Sequence, residues 1–258
     1  MDNGSRTPVS VDDCKKILPN VVVKRIDHPT QSPVPAINIG LKMARGELIG
    51  VFIDGARMAS PGLLDSAINA SRFGKNTVIG TLAFHLGPDV QMRSIKEGYD
   101  QSVEDQLLDA CEWEKDGYQL FSISVFAGAS GKGWFHVPNE SNALFMHRDQ
   151  WYKLGGYEPL FETPGGGLTN HDMWSRACEH SPENVIVLFG EGTFHQVHGG
   201  VATNAVVSKK ELFHTEYESI RGKAFKKPRV SMMLFGNPSR MCLDNIQHSV
   251  NHLKSKAA

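Results

Sequence analysis

The sequence predicts a three-layer α/β fold with a mainly parallel central sheet, and two observations support this prediction. Short apolar segments typical of strands alternate along the chain with amphipathic segments typical of helices. One of these segments, residues 47–53, is almost continuously apolar, which is typical of a strand buried on both faces of a parallel sheet. Ligands of such sheets bind beyond the carboxyl ends of the strands, so residues that follow strands are candidates for a site.

The elements follow from local patterns in chain order. A helix is expected to end at Gly46, another to begin at Ser60-Pro61, and a third to place Val103, Leu107 and Cys111 on one face. The predicted strands are 20–26, 47–53, 77–84, 122–127 and 184–189, and residues 142–146 are a further short apolar segment. The predicted helices are 36–45, 60–73, 99–116, 149–154 and 170–180. We expect one domain over residues 1–207 and a helical, basic tail over 208–258.

Composition excludes several classes of protein. The chain has 258 residues with 27 Lys and Arg against 28 Asp and Glu, a net charge of −1, so it lacks the basic excess of a nucleic-acid binder. No apolar run approaches the ~20 residues of a membrane span, and we expect no secretory leader. The four cysteines form no C-x-x-C pair, which is typical of idle thiols in a reducing cytoplasm.

Four stretches contain residues suited to chemistry. Asp54 follows the most apolar strand, where a carboxylate can meet a cation or a sugar hydroxyl, or serve only as a turn residue. Three glycines precede Asp172 at a helix start, which is typical of a loop that closes over a ligand or of a helix cap. His195 and His198, three residues apart after a strand, could bind a metal or a diphosphate, or be structural. Residues 1–6 alone indicate only a turn.

The order and spacing of these stretches resemble those of the family 2 glycosyltransferases of the GT-A fold. Asp2-Asn3-Gly4-Ser5 is similar to the family's D-x-G-S motif. Residues 38–54 are similar to its N-x-G, A-x-G, strand and D-x-D series. Residues 142–157 are similar to N-x-x-x-x-x-R followed by G-G-[FY], and residues 171–176 to E-D-x-x-x-x-R. The resemblance covers about residues 1–200 and is specific only as a combination.

The resemblance implies a Rossmann-like nucleotide-diphospho-sugar transferase that moves a hexose-like sugar onto an acceptor hydroxyl with inversion, as in polysaccharide biosynthesis. It implies that Asp172 is the catalytic base. The residues implied for nucleotide-sugar binding are Asp2, Asn38, Asp54 and Arg57. Those implied for acceptor binding are Trp134, Glu140, Asn142 and Gly156. Those implied for a divalent metal are Asp54, His195 and His198, and the imidazoles favour Mn²⁺ over Mg²⁺.

Three departures from the family pattern bear on this assignment. Asp54-Gly55-Ala56 lacks the second carboxylate of D-x-D, and His171 takes the place of the first acid of E-D. The first strand and helix of the family domain have no counterpart before Asp2. We nevertheless expect Asp2, Asp54, Asp172 and His198 to converge on one cleft.

Two other functions are compatible with the sequence. A non-catalytic module that binds nucleotide sugars or glycans would explain the missing carboxylate. A nucleotidyltransferase would share the three-layer shape, but it should carry a glycine-rich phosphate loop with a basic residue near the first strand, which this sequence lacks. The expected partners are a nucleotide-sugar donor and a saccharide or other hydroxyl acceptor. The expected location is the cytoplasm, either free or peripheral at the inner face of the membrane.

Overall fold

The computed structural model describes residues 1–53, 56–198 and 209–255. The helices are α1 (Val11–Ile17), α2 (Val34–Met43), α3 (Leu63–Ser71), α4 (Gln91–Ser94), α5 (Gln101–Cys111), α6 (Arg148–Leu154), α7 (Thr169–His180), α8 (Lys210–Arg221) and α9 (Leu243–Lys254). The strands are β1 (Leu48–Phe52), β2 (Arg57–Ala59), β3 (Val78–Leu86), β4 (Ser124–Phe126), β5 (Ala143–His147), β6 (Val185–His195) and β7 (Met233–Phe235).

The strands form one mixed sheet of order β1-β5-β3-β6-β2, with β4 beside β3 and β7 beside β6. The central pair β3 and β6 is parallel, as is the pair β6 and β7. The pairings of β1 with β5, β2 with β6, and β3 with β4 and β5 are antiparallel. The α/β class is therefore confirmed, but among the described strands the sheet is mixed, with the predicted parallel pairing at its centre only.

Helices cover both faces of this sheet. Val78, Leu144 and Val185 pack in one apolar cluster with residues of α2, α6 and α7. The next residue of each strand (Ile79, Phe145 and Ile186) packs on the opposite side with Leu63, Ala67 and Ala70 of α3. Because successive strand residues point to opposite faces, these strands are apolar on both sides and hold a helical layer on each.

Two strand predictions were wrong. Residues 20–26 form no strand, and within them Arg25 makes only an isolated bridge to Asp2. This β-branched run has no neighbouring strand to pair with, and a lone strand is not stable. β1 forms as predicted but is not buried on both faces, since Phe52 is 41% exposed. Among the described residues β1 pairs with β5 alone, so its other edge is uncovered.

The C-terminal segment from residue 209 is packed into the rest of the structure. β7 extends the sheet beside β6, and Tyr217 of α8 joins the apolar cluster that contains α7 residues. Cys242, just before α9, is fully buried in a third cluster with Phe84 and Trp134. The boundary predicted at residue 207 lies outside the described residues, so the two-part division stays a prediction.

Candidate functional site

Asp172, predicted to be the catalytic base, is buried in an ion-pair network. Its Oδ1 accepts a hydrogen bond from Arg221 Nε at 2.7 Å, and its Oδ2 accepts from Arg221 Nη2 at 2.7 Å and from Arg176 Nε at 2.8 Å. The Asp172 side chain is only 2% exposed. Both carboxylate oxygens are engaged by guanidinium groups, so neither is open to an acceptor hydroxyl. This geometry is typical of a structural carboxylate, and the base role that the resemblance implies stays a prediction.

The same network includes two other predicted site residues. Arg176 also donates to the carbonyl oxygen of Gly156 at 2.7 Å. Next to it, Asn38 of α2 donates from Nδ2 to the carbonyl of Tyr157 at 2.8 Å and accepts from the Tyr157 amide at 2.9 Å. The structure thus brings Asn38, Gly156 and Asp172 together, although the convergence that we predicted was of Asp172 with Asp2, Asp54 and His198. Their contacts are with one another, which indicates that they connect α2, the loop after α6, and α7.

Trp134, predicted to line the acceptor site, is a core residue instead. It is completely buried, and its ring centroid lies 5.9 Å from that of Phe84 and 5.7 Å from that of Phe126. Its indole N–H donates to the carbonyl of Leu188 at 3.1 Å. With its faces covered by other aromatic rings and its polar atom satisfied, Trp134 has no surface to offer a sugar.

A second group of polar side chains lies at the carboxyl ends of the central parallel strands. His85 and His195, near and at the ends of β3 and β6, are register partners, and Arg57 of β2 is paired with His195 on the other side. The charges of Arg57 and Glu140 both act on His85. We call the residues of this group the polar cluster: Arg57, His85, Glu140, His171, His195 and His198.

Glu140 and His171 form a pair within the polar cluster. Glu140 Oε2 lies 3.2 Å from His171 Nδ1, and the two side chains are 19% and 20% exposed. Beside them, Asn170 Nδ2 donates to Asn142 Oδ1 at 3.0 Å. Burial alone would raise the pKa of Glu140 and lower that of His171. Burial is the largest single cause for each group, but the charge and hydrogen bonding of the partner, with Arg57 and Asn170 adding to the effect on Glu140, together outweigh it, so the Glu140 pKa is lowered and the His171 pKa is raised.

The side chains of His195 and His198 lie next to each other. The two Nε2 atoms are 3.1 Å apart. Two imidazoles that bind one ion through bonds of ~2.1 Å place their nitrogens roughly 3.0–3.4 Å apart, so the pair fits adjacent positions on a divalent cation. No group of three His, Cys, Asp or Glu side chains among the described residues could hold an ion. Asp54, the remaining predicted ligand, lies outside the described residues.

Two residues of the site were not singled out in the sequence. His85 directly follows the predicted strand 77–84, a position at which site residues are expected. Desolvation, the positive charge of His195 and that of Arg57 lower the His85 pKa to about 4, so the ring is neutral near pH 7. Glu104 of α5 is 2% exposed and accepts a hydrogen bond from the Val197 amide at 2.9 Å, which positions the segment between the two histidines. Glu104 could have been identified from the sequence, because it is an acid on the apolar face of a predicted helix, four residues before Leu108.

Asp2 lies beside a cavity rather than in the polar cluster. The cavity has a volume of about 640 Å³ and is lined by Asp2, Asn3, Gly4 and Ser5, by residues of α2, and by Ile49 to Ile53 along β1. Asp2 Oδ1 accepts from the Ser5 amide at 2.8 Å, and Oδ2 accepts from Arg25 Nη1 at 2.7 Å. The hydrogen bonds from Ser5 and the charge of Arg25 lower the Asp2 pKa to about 2.

Ile53 joins this cavity to the polar cluster. It lines the cavity, and its carbonyl oxygen accepts a hydrogen bond from Arg57 Nε at 3.3 Å. Its amide donates to the carbonyl of Asn142 at 3.1 Å, next to the Glu140 and His171 pair. Ile53, at the end of β1, is therefore a lining residue of the cavity that also contacts Arg57 and Asn142.

No protein-family model matches this chain, and no curated protein matches it. Among the described helices, none combines the length and the hydropathy that crossing a membrane requires.

Proposed function

We propose that this protein is a glycosyltransferase that moves a sugar from a nucleotide-activated donor to an acceptor hydroxyl with inversion. The observation that carries the proposal is the position of Ile53, which joins the cavity beside Asp2 to the polar cluster at the carboxyl ends of β3 and β6. A nucleotide sugar is an elongated ligand with an aromatic base at one end, two phosphates in the middle and a reactive sugar at the other. The region around Ile53 offers a matching series of environments.

The nucleoside would occupy the cavity along β1. Its volume of about 640 Å³ falls within the range of ~300–1,000 Å³ that is usual for small-molecule sites. The lining combines apolar side chains of α2 and β1 with the polar turn of Asn3 to Ser5. Such a surface suits a flat base with a polar edge and a ribose. The resemblance to family 2 glycosyltransferases supports the same placement, since their D-x-G-S motif contacts the nucleotide.

The diphosphate would lie next to Arg57, His195 and His198. Inverting transfer needs positive charge where the diphosphate departs, and Arg57 provides a permanent one. His195 and His198 would hold a divalent cation, with Asp54 as the further ligand that the resemblance implies. When bound, that ion would neutralise the charge of the departing nucleoside diphosphate. Nitrogen ligands favour Mn²⁺ over Mg²⁺.

The sugar and the acceptor would then meet at Glu140, Asn142, Asn170 and His171. Carboxylate and amide groups are suitable partners for sugar hydroxyls because they accept or donate hydrogen bonds. Asn142 also contacts the backbone of Ile53, which connects this end of the site to the donor cavity. The transfer requires a group here that takes the proton of the attacking hydroxyl.

A thermal-shift panel tests donor binding. UDP-, GDP- and dTDP-linked hexoses and the free nucleoside diphosphates are added to the protein with and without Mn²⁺. A ligand at 100 times its Kd stabilises the folded state by ~2.7 kcal/mol, which is readily detected. Arg57→Gln should abolish most of the shift, because it removes the positive charge that would lie next to the diphosphate. Arg93→Gln, on an exposed arginine of α4, should retain it. No shift with any sugar nucleotide would refute the proposal.

The non-catalytic binding module remains a second candidate, because the Asp172 carboxylate is held by two arginines. Such a module would show the thermal shift but release no nucleoside diphosphate from any sugar nucleotide. Release of the diphosphate, measured by coupled assay in the presence of Mn²⁺, separates the two functions.

A further inference from the structure

We infer that His171 is the general base of the proposed transfer and that Glu140 is the residue that orients it. This inference rests on the proposed function and replaces the base role expected for Asp172. His171 precedes Asp172 on the first turn of α7, and its side chain contacts Glu140 rather than Arg176 and Arg221.

The two ring nitrogens of His171 have different environments. Nδ1 is buried and lies 3.2 Å from Glu140 Oε2, an ion-pair distance without the alignment of a hydrogen bond. Nε2 has no hydrogen-bond partner among the described residues, and 20% of the His171 side chain is exposed. A carboxylate on one nitrogen favours the tautomer with the proton on that nitrogen, which leaves the lone pair on the other. This is the arrangement of a base that is oriented by an acid behind it.

Packing holds the His171 ring in this orientation. The ring meets Phe225 edge to face, with centroids 5.2 Å apart and planes at 87°. Phe225 in turn packs against Tyr217 of α8, with centroids 5.4 Å apart. A ring held between a carboxylate and an aromatic face loses little further freedom when an acceptor arrives, which is the requirement for an oriented catalytic group.

The charges around the pair shift the pKa values of Glu140 and His171 in opposite directions. Glu140 faces His171, and Arg57 of β2 and His85 of β3 lie near enough to interact with it electrostatically. On the other side of α7, the Asp172 charge is balanced by Arg176 and Arg221. Burial lowers the His171 pKa, but the Glu140 anion raises it by more. A raised pKa makes His171 a stronger base once it is deprotonated.

The step balances without any further reactant. The acceptor oxygen forms a bond to the anomeric carbon while its proton moves to His171 Nε2. The bond from the anomeric carbon to the diphosphate oxygen breaks, and its electron pair leaves with the nucleoside diphosphate. His171 then returns the proton to solvent.

Nucleoside diphosphate release, with water as the acceptor, tests the inference. The donor is the sugar nucleotide that gives the largest thermal shift. His171→Ala should lower kcat by ~10²–10⁴-fold while donor Kd changes by less than a few-fold. Added imidazole should restore part of the activity, because a free base can replace the missing ring but cannot repair a packing defect. His180→Gln, on an exposed histidine of the same helix, should match the parent.

Glu140→Gln tests the orienting role through the pH profile. The parent rate should fall at low pH as His171 is protonated. Without the Glu140 anion the His171 pKa falls, so this acidic limb should move to lower pH while the plateau rate decreases. An unmoved limb would refute the role of Glu140.

The outcomes separate this inference from the proposed function. If His171→Ala binds the donor and releases nucleoside diphosphate as fast as the parent does, the base assignment is refuted and the proposed function stands. Donor binding with no release by the parent would refute the base assignment and favour the binding module. Absence of donor binding to the parent would refute both.

Discussion

Asp172 and Arg221 lie 49 residues apart in the chain and form a two-point ion pair, with Arg221 Nε and Nη2 each 2.7 Å from a different oxygen of the carboxylate. The pair connects the first turn of α7 to the last turn of α8. The acid of the E-D-like motif is thereby held by Arg221, while its neighbour His171, which stands in place of the other acid, lies against Glu140.

Asp172→Asn should destabilise the protein by about 3 kcal/mol, because removing one member of a buried ion pair leaves the other uncompensated. Urea unfolding measures the change. Asp65→Asn, an exposed first-turn acid of α3, is the matched control and should cost less than about 1 kcal/mol. An Asp172→Asn variant as stable as the parent would contradict the structural role.

Gly156→Ala should be more destabilising than Gly155→Ala. Both glycines have positive φ, at +70° and +72°, so alanine costs each roughly 1–2 kcal/mol. A Cβ at Gly156 would also lie 2.7 Å from Asn38 Oδ1, whereas a Cβ at Gly155 would meet nothing within 4 Å. The clash should add roughly 1–3 kcal/mol. Equal losses for both variants in urea unfolding would show that the Asn38 contact is dispensable.

Stability should fall between pH 6.5 and pH 4 because of His85. Its folded-state pKa of about 4 lies below the ordinary 6.5, so the unfolded chain binds the proton first. The full contribution is present above pH 6.5 and is lost as pH falls through the folded pKa, amounting to about 3 kcal/mol. Protonation of Nδ1 would also remove the hydrogen bond that it accepts from the Gln91 amide at 2.8 Å.

His85→Gln keeps an acceptor for that amide and does not titrate. Its free energy of unfolding, measured by urea in EDTA at several pH values, should depend less on pH over this range. A variant with the same pH dependence as the parent would assign the effect to other groups.

Mn²⁺ should bind weakly to the free protein and more tightly when a nucleoside diphosphate is present. His195 and His198 supply two nitrogens, and the diphosphate oxygens would complete the coordination. Calorimetry with and without UDP or GDP measures the difference, and His198→Ala should reduce it. Equal Mn²⁺ affinity in both conditions would contradict a shared site.

Local patterns were sufficient for most of the helices and for the longer strands. The apolar spacing of α5, the Ser60-Pro61 start before α3 and the β-branched run that begins β6 are each encoded within about a dozen residues. β2 and β7 were not predicted, because each has only three residues and exists through its pairing with β6. The strand predicted over 20–26 failed for the opposite reason, since its apolar pattern has no neighbour to pair with.

The sequence by itself determined the α/β class, the alternation of helices and strands, and the position of polar residues after strand ends. It also indicated that Asn38, Gly156, Asp172 and His198 were special. Only the tertiary structure decided which groups each one contacts, since a motif specifies a residue type but not its partners. Arg221, 49 residues away in the chain, donates a hydrogen bond to the Asp172 carboxylate. His171 faces Glu140 instead, because adjacent residues on a helix point in directions about 100° apart.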